Sequence, residues 1–336
     1  MDKEILNIQG FILAQQSAHG QATGELSSIL TELAFGAKII SREINKAGLI
    51  DVLGLTGKIN VQGEDVQKLD EYANDIFIKI LRRGHHVAAL ASEENDDILD
   101  FSKYTPEARY VVCIDPLDGS SNIDANVSVG TIFAIYQKVS DTSSVSAADF
   151  LQKGSRQVCA GYILYGSSTV FVYTTGHGVN CFTLDPSIGE FILSHPDLKI
   201  PDQGKVYSVN EGYSPMWAPG ISRYVKDLKK GLKGYKKPHK ARYIGSLVSD
   251  FHRNLLYGGV FLYPPDEQNP TGKLRLLFEA NPMAFIVTQA GGRATNGKAD
   301  ILSMEPTKIH ERTPLYIGSS SDIAHLLDHL DTDKTA

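Results

Sequence analysis

Hydrophobic positions along this chain fall into short uninterrupted runs and longer stretches with helical spacing. Tyr110-Val111-Val112-Cys113-Ile114 and Val87 to Ala91 are such apolar runs, the pattern of strands buried on both faces. Leu26, Ile29, Leu30, Leu33, Ala37, Ile40 and Ile44 repeat at helical spacing, with Thr23 placed as N-cap and Gly48, after Lys46, as the stop. Val66 to Leu81 predicts a second amphipathic helix with Val66, Leu69, Ala73, Ile76, Phe77 and Ile80 on one face. A short helix is expected over Ile5–Ala14.

Between residues 127 and 194 the pattern becomes strand-like: Val127–Val139, Val158–Tyr165, Thr169–Thr175, Gly178–Leu184 and Glu190–Leu193. Turns at Gly166-Ser167-Ser168 and Asp185 to Gly189 predict an antiparallel meander that extends the same sheet. A boundary is expected near Pro196–Pro201. Beyond it come a strand at Val206–Val209, a helix over Ile221–Leu232, a helix capped by Ser246 that runs through Leu256, and a strand at Phe261-Leu262-Tyr263. Lys273 to Glu279 alternates, which puts Lys273, Arg275, Leu277 and Glu279 on one side of a strand. Asn281-Pro282 then opens a helix as N-cap and first helical residue.

Composition narrows the class. At 336 residues the chain exceeds the size at which single cores stop growing, so two domains are expected. A net charge of −6 argues against nucleic acid as the main partner and requires cations at any site that handles anions. Three cysteines without paired spacing, Cys113, Cys159 and Cys181, fit a reducing compartment. The sequence has no secretory signal pattern and no apolar run of membrane-spanning length, and the expected location is the cytoplasm.

The chemistry centres on Asp115-Pro116-Leu117-Asp118-Gly119-Ser120-Ser121-Asn122, directly after one of the apolar runs. Carboxylates are hard oxygen ligands suited to Mg²⁺, and a Gly-Ser-Ser turn offers amides and hydroxyls to an anion. A solvated Asp-Gly turn would need neither the second carboxylate nor the apolar strand. Ser92-Glu93-Glu94 ends the other run, so adjacent parallel strands would bring four acids together at their carboxyl ends. Such acids stay ionised only with divalent cations among them. Asp70 falls within the apolar arc of its helix. It is either a buried carboxylate satisfied by an amide or an arginine, or a site carboxylate facing metal or water, and Glu64 could serve the same place. The helix start at Thr23-Gly24-Glu25 could hold a phosphate, although a plain capped helix is the commoner case. The cations between Lys226 and Arg242 read mostly as a solvated face, with Arg242-Tyr243 before Ile244-Gly245-Ser246 the part suited to phosphate. Lys273, Arg275 and Glu279 read either as an ion cluster or as the lining of a phosphate-plus-metal site.

Thr23-Gly24-Glu25-Leu26, Ser92-Glu93-Glu94, Asp115 to Asp124, Asn210 to Tyr213, Arg242 to Arg253 and Gly272 to Phe285 together resemble class I fructose-1,6-bisphosphatases, over nearly the whole chain. The Asp-Pro-Leu-Asp-Gly-Ser motif alone marks a wider family of Mg²⁺-dependent, lithium-sensitive sugar and inositol phosphatases. The full set is more specific, and Thr-Gly-Glu-Leu alone carries no weight. The resemblance implies an α/β (α+β layered) fold in which helix and sheet layers alternate as an α-β-α-β-α sandwich. Residues 1–199 would carry the effector site and most metal ligands, and residues 200–336 the sugar bisphosphate. It implies Mg²⁺-dependent hydrolysis of the 1-phosphate of fructose 1,6-bisphosphate, with Mn²⁺ able to substitute, in a gluconeogenic homotetramer.

By the same resemblance Glu93, Asp115, Asp118 and Glu279, with the Leu117 carbonyl, are the metal ligands. Asp70 and Glu94 orient and deprotonate the attacking water, and Glu64 matches a further catalytic-loop acid that is Asp in many relatives. Gly119, Ser120 and Ser121 hold the phosphate that leaves. Asn210, Tyr213, Tyr243, Tyr263 and Lys273 hold the other phosphate and the sugar, with Phe261 and Leu262 on the strand of Tyr263. Arg275 lies near the 1-phosphate, and Arg242 matches a residue donated by a neighbouring subunit. Thr23, Gly24, Glu25, Leu26, Ser27, Arg109 and Tyr110 match a site for AMP or another anionic effector. The chain departs from the AMP-inhibited pattern at Gln137 for Arg, Ala22 for Gly and Arg109 for Lys, and it has Leu247 for a frequent Met. It has no Cys-bearing insertion of the light-regulated chloroplast form. Rival readings are a sedoheptulose-1,7-bisphosphatase or dual bisphosphatase, an inositol-phosphatase-like enzyme, and a non-catalytic sugar-phosphate sensor.

Overall fold

The computed structural model describes residues 5–18, 24–46, 55–59, 65–140, 144–231, 235 and 237–334. Helices α1 (Ile8–Ala18) and α2 (Glu25–Ile44) lead into the strand pair β1 (Leu55–Ile59) and β2 (Asp65–Gln67) and helix α3 (Lys68–Gly84). Then follow β3 (Val87–Ser92), β4 (Leu99–Asp100), β5 (Tyr110–Asp118), β6 (Val129–Gln137), β7 (Gln157–Tyr165), β8 (Thr169–Thr174), β9 (Asn180–Asp185) and β10 (Glu190–His195). These make one sheet in the order β10-β9-β8-β7-β6-β5-β3-β4. From β6 to β10 it is the expected antiparallel meander, β5 joins it antiparallel to β6, and β3 and β5 run parallel with Ser92 beside Ile114.

The second half runs β11 (Val206–Ser208), α4 (Pro219–Lys230), β12 (Lys240–Ala241), α5 (Leu247–Tyr257), β13 (Val260–Tyr263), β14 (Leu274–Arg275), α6 (Asn281–Gln289), β15 (Arg293–Thr295), β16 (Arg312–Thr313), β17 (Leu315–Gly318) and α7 (Ser320–Lys334). A sheet of order β12-β11-β13-β17-β15 results, and β14 pairs with β16 alone.

Strand alternation then builds the layers. Val112 and Ile114 of β5 point into a core shared with α1, α2 and α3, whereas Val111 and Cys113 point the other way. Ile132, Tyr162 and Val172 on the opposite face of the large sheet pack on α5, α6 and the inner face of the small sheet, at Phe261 and Ile317. Val260, Leu262 and Tyr316 on its outer face meet α4 and α7. Helix and sheet therefore alternate through five layers, the layered α/β arrangement that the sequence implied. No helix among the described residues is long and apolar enough to cross a membrane.

Several boundaries differ from expectation. Helix α1 starts at Ile8, because the Asn7 side chain accepts the Gly10 N–H at 2.9 Å, and it runs on to Ala18. The residue before α2 is Gly24, left-handed at φ 87° with no side-chain cap, and Thr23, Ala22, Gly48 and Glu64 lie outside the described residues. Helix α3 starts at Lys68, since Asp65–Gln67 pairs with β1 instead. The strand expected over Lys273–Glu279 is only Leu274–Arg275. Its partner β16 offers two residues, Leu276 N–H takes the Glu311 carbonyl, and Leu276–Ala280 then coils as a π-helix. That coil runs straight into α6, so Asn281 is not an N-cap; its amide reaches Tyr136 Oη at 3.4 Å instead.

Candidate active site

The acids of β5 sit on an irregular strand rather than on a turn after one. Pairing with β6 slips between Asp115 and Asp118. The slip is held from both sides. Leu117 N–H donates to Asp115 Oδ1 at 3.0 Å, and the buried Thr131 hydroxyl donates to the Pro116 carbonyl at 2.8 Å. Gly119 follows at φ 77°, and a Cβ there would come within 2.8 Å of Ser246 Cβ, so glycine is required for the close approach. Ser120 and Ser121 form a 3-10 turn, with Ser121 exposed.

Asp118 is anchored by a different part of the chain. Its carboxylate accepts from Ser246 Oγ at 2.7 Å, Val248 N at 2.9 Å and Leu247 N at 3.3 Å, which are the donors of the α5 N-terminus. These bonds and the helix dipole favour the carboxylate, yet burial outweighs them and its pKa is raised. Asp115, Asp118 and Glu279 each present an oxygen within 4.8 Å of the others, and all three are buried. Burial first, then the charges of Glu93, Asp118, Glu279 and Glu94, push Asp115 well above the carboxylate range. The same two kinds of cause act on Glu279, led by burial and then Glu93. Arg275 enters this cluster: its Nη1 lies 2.8 Å from Glu93 Oε1, and its backbone N–H donates to Glu279 Oε2 at 2.6 Å. The π-turn brings Glu279 back over the backbone of Arg275, a relation that strand alternation does not provide.

Five acids, Glu93, Glu94, Asp115, Asp118 and Glu279, thus converge at the carboxyl ends of β3 and β5. Asp70 is buried in the first turn of α3. One turn later Asn74 accepts from Ser92 Oγ at 2.7 Å and donates to Asn95 Oδ1 at 3.0 Å, which ties α3 to the turn that carries Glu93 and Glu94. The three hard-oxygen donors, buried and mutually repelling, fit a divalent cation.

A second hollow lies nearby. Asn210, Tyr213, Tyr243, Leu262, Tyr263 and Asp266 line it, with Trp217 and Pro264. The Asn269 side chain holds the Asp266 carboxyl below its usual pKa, and the charge of Lys273 adds to that lowering. Phe261 turns the other way into the core, as alternation along β13 demands. Arg242 is exposed, with Nη1 donating to the Ala241 carbonyl at 2.8 Å.

The family described as Fructose-1-6-bisphosphatase, N-terminal domain, matches residues 6–196, and Fructose-1-6-bisphosphatase, C-terminal domain, matches residues 200–331. The chain belongs to the class I fructose-1,6-bisphosphatase family. It is 54% identical over 325 residues to the class 1 fructose-1,6-bisphosphatase of Chloroherpeton thalassium, covering 95% of this chain and 92% of that one. It is 55% identical over 312 residues to that of Cytophaga hutchinsonii, covering 93% and 90%. The crystal structure of Leishmania major fructose-1,6-bisphosphatase in holo form superimposes with a TM-score of 0.91 at 40% identity, covering 98% of this chain and all of that one. Fructose-1,6-bisphosphatases of this family are phosphatases that depend on a divalent metal.

Away from the acids, Gly24, Leu26 and Ser27 face Tyr110, Phe11 and Tyr173 across a hollow of about 300 Å³ between α1, α2 and the sheet. Arg109 lies against α2, its Nη2 2.7 Å from Glu25 Oε1. Sequence reasoning identified Ser246 as a helix cap but not its contact with Asp118, and it missed Asn74 and Trp217. Asn74 lies beside the apolar arc used to single out Asp70, and a polar residue there was the available signal.

Proposed function

We propose that the convergent acids hydrolyse the 1-phosphate of fructose 1,6-bisphosphate, releasing fructose 6-phosphate and phosphate. The observation that carries this reading is the buried Asp115, Asp118 and Glu279 cluster next to the Gly119–Ser121 turn, with a tyrosine-lined hollow beyond it. Glu93, Asp115, Asp118 and Glu279, with the Leu117 carbonyl, would hold Mg²⁺, or Mn²⁺ in its place. The bound cation supplies Lewis acidity to the phosphoryl oxygens and the departing alkoxide.

The chain's own residues do the rest. Asp70 with Glu94 takes the proton of the attacking water, helped by Glu64. Gly119 N–H and the Ser120 and Ser121 hydroxyls hold the phosphate that leaves. Arg275 offsets charge spreading over the equatorial oxygens. Asn210, Tyr213, Tyr243, Tyr263 and Lys273 seat the second phosphate and the sugar, with the Leu262 side chain and the strand backbone at Phe261 beneath them. Arg242 completes the neighbouring subunit's pocket in a homotetramer. Residues 1–199 and 200–336 divide these tasks as two domains of a cytoplasmic enzyme, and the α1–α2 hollow, with Thr23, Gly24, Glu25, Leu26, Ser27, Arg109 and Tyr110, takes an anionic effector such as AMP.

Phosphate release tests the reading directly. Fructose 1,6-bisphosphate should be turned over, EDTA should stop the reaction, and added Mg²⁺ or Mn²⁺ should restore it. Full activity after exhaustive chelation is incompatible with it. Faster turnover of sedoheptulose 1,7-bisphosphate would reassign the substrate.

A further inference from the structure

The residues around the second hollow come from separate elements: Asn210 and Tyr213 follow β11, and Tyr243 follows β12. Residues 241–244 are exposed and Gly245 has no side chain, so packing holds that segment only where Tyr243 lines the hollow. Hydrogen bonds to its backbone do the rest, among them Asn122 Nδ2 to the Gly245 carbonyl at 3.3 Å.

Most of them converge on one ion pair, between a buried carboxylate and a half-buried guanidinium. Asp250, in the first turn of α5, is fully buried. Its Oδ2 accepts the backbone N–H groups of Ile244 at 2.9 Å and Gly245 at 3.1 Å. Its Oδ1 accepts Arg253 Nη2 at 2.7 Å. The same nitrogen donates to Ser208 Oγ at 2.7 Å, at the end of β11, and to the Arg242 carbonyl at 3.0 Å. Arg242 N–H in turn donates to the Tyr207 carbonyl at 2.9 Å. A single guanidinium nitrogen is thus the junction of α5, the 242–245 segment and the strand that ends two residues before Asn210. The residues that follow, Ser246, Leu247 and Val248, donate to Asp118.

We infer that Asp250 and Arg253 are positioning residues that set the span between Asp118 and the second-phosphate hollow, and so make the site selective for a sugar carrying two phosphates. This rests on the bisphosphatase reading above. Neither residue needs to touch substrate. Asp250 is buried, and the two N–H groups of Arg253 Nη2 are shared among three protein acceptors. Losing the Arg253 guanidinium removes the tie between the Arg242 carbonyl, Ser208 and Asp250 and leaves the Arg242 N–H on Tyr207 as the remaining bond to β11, while the α5 N-terminus still caps Asp118, so the hollow loosens and the acids do not.

Two variants and three sugar phosphates test this. Arg253→Met removes the donor, whereas Arg253→Lys can return an ammonium with three N–H groups to the same point. In Arg253→Met, the affinity for fructose 6-phosphate by calorimetry and kcat/KM for fructose 1,6-bisphosphate should both fall about tenfold, the latter through KM. Turnover of fructose 1-phosphate, which has no second phosphate, should stay within about twofold, and Arg253→Lys should recover most of the loss. Equal losses on both substrates, unchanged fructose 6-phosphate affinity, or a lysine no better than methionine would each overturn the inference. If Arg253→Met does not fold, Ser208→Ala removes one of the three acceptors and should weaken fructose 6-phosphate alone. Failure of the wild-type protein to bind fructose 6-phosphate would instead sink the bisphosphatase reading.

Discussion

The guanidinium of Arg275 stands 2.8 Å from the Glu93 carboxylate, while the backbone N–H of Arg275 holds Glu279 at 2.6 Å. One residue thereby offsets charge on two of the buried acids. Removing one partner of a buried pair leaves an uncompensated charge and costs about 3–5 kcal/mol. Arg275→Met should therefore unfold at a markedly lower temperature in chelator. Added Mg²⁺ should raise its midpoint by more than it raises that of the wild type, because the cation takes over the lost compensation. Thermal unfolding with and without Mg²⁺ checks this, and equal shifts in the two proteins count against it.

Asp118 has two separable tasks, because its carboxylate both joins the acid cluster and caps α5. Asp118→Asn keeps an acceptor for the helix amides but loses the charge. Its kcat should drop about 10²–10³-fold with stability nearly unchanged. Asp118→Ala should lose the same activity and a further ~1 kcal/mol or more of stability, as an uncapped helix start does. Turnover and urea unfolding of the two variants decide it. Normal turnover of Asp118→Asn at saturating Mg²⁺ rules out the ligand role.

Asn74 links α3 to the Ser92–Asn95 turn, one helical turn from Asp70. Asn74→Ala should leave the buried Ser92 hydroxyl without its acceptor, at roughly 1–3 kcal/mol. It should also let Asp70 drift relative to Glu94, lowering kcat about tenfold with little change in KM. Steady-state kinetics check the split. A rise in KM at constant kcat would remove Asn74 from this role.

Asp322, at the start of α7, supplies a pH dependence remote from the acids. Burial raises its pKa to about 6, against the opposing bonds of Gly204 and Tyr235 and the charge of His325, with Asp202 adding to the rise. Gly204 N–H reaches its Oδ2 at 2.9 Å, and His239 Nε2 lies 3.9 Å from Oδ1. Below the unfolded value near 3.8 both states hold the proton and this group carries no penalty. As pH rises from there to about 6 the unfolded chain ionises first, so stability falls by roughly 3 kcal/mol and then levels off. Asp322→Asn should cancel that slope. Urea unfolding of both proteins from pH 4 to 7 tests it, and a pH-independent difference between them would refute it.

Much of the architecture follows from local chemistry. The unbroken apolar runs at 87–91 and 110–114 can bury both faces only inside a layered sheet, and the turn residues at 166–168 and 185–189 fix the meander. The helical spacings of 26–44 and 69–81 fix which faces they bury. These are short-range constraints, and sequence carries them in full. The acids at the ends of the two parallel strands were legible for the same reason, since strand direction alone brings them to one edge.

What needed the folded chain was every relation between distant segments. Glu279 reaches the cluster through a π-turn, because β14 runs out of partner strand after two residues, and the alternating pattern of 273–279 pointed to a longer strand. Asp118 meets Ser246 across 128 positions of sequence, and Arg253 joins Ser208 to Arg242 through one nitrogen. Spacing along a chain encodes which face a side chain takes; it does not encode which remote amide will satisfy a buried carboxylate. That choice is made when the layers close and each buried polar group must find a partner.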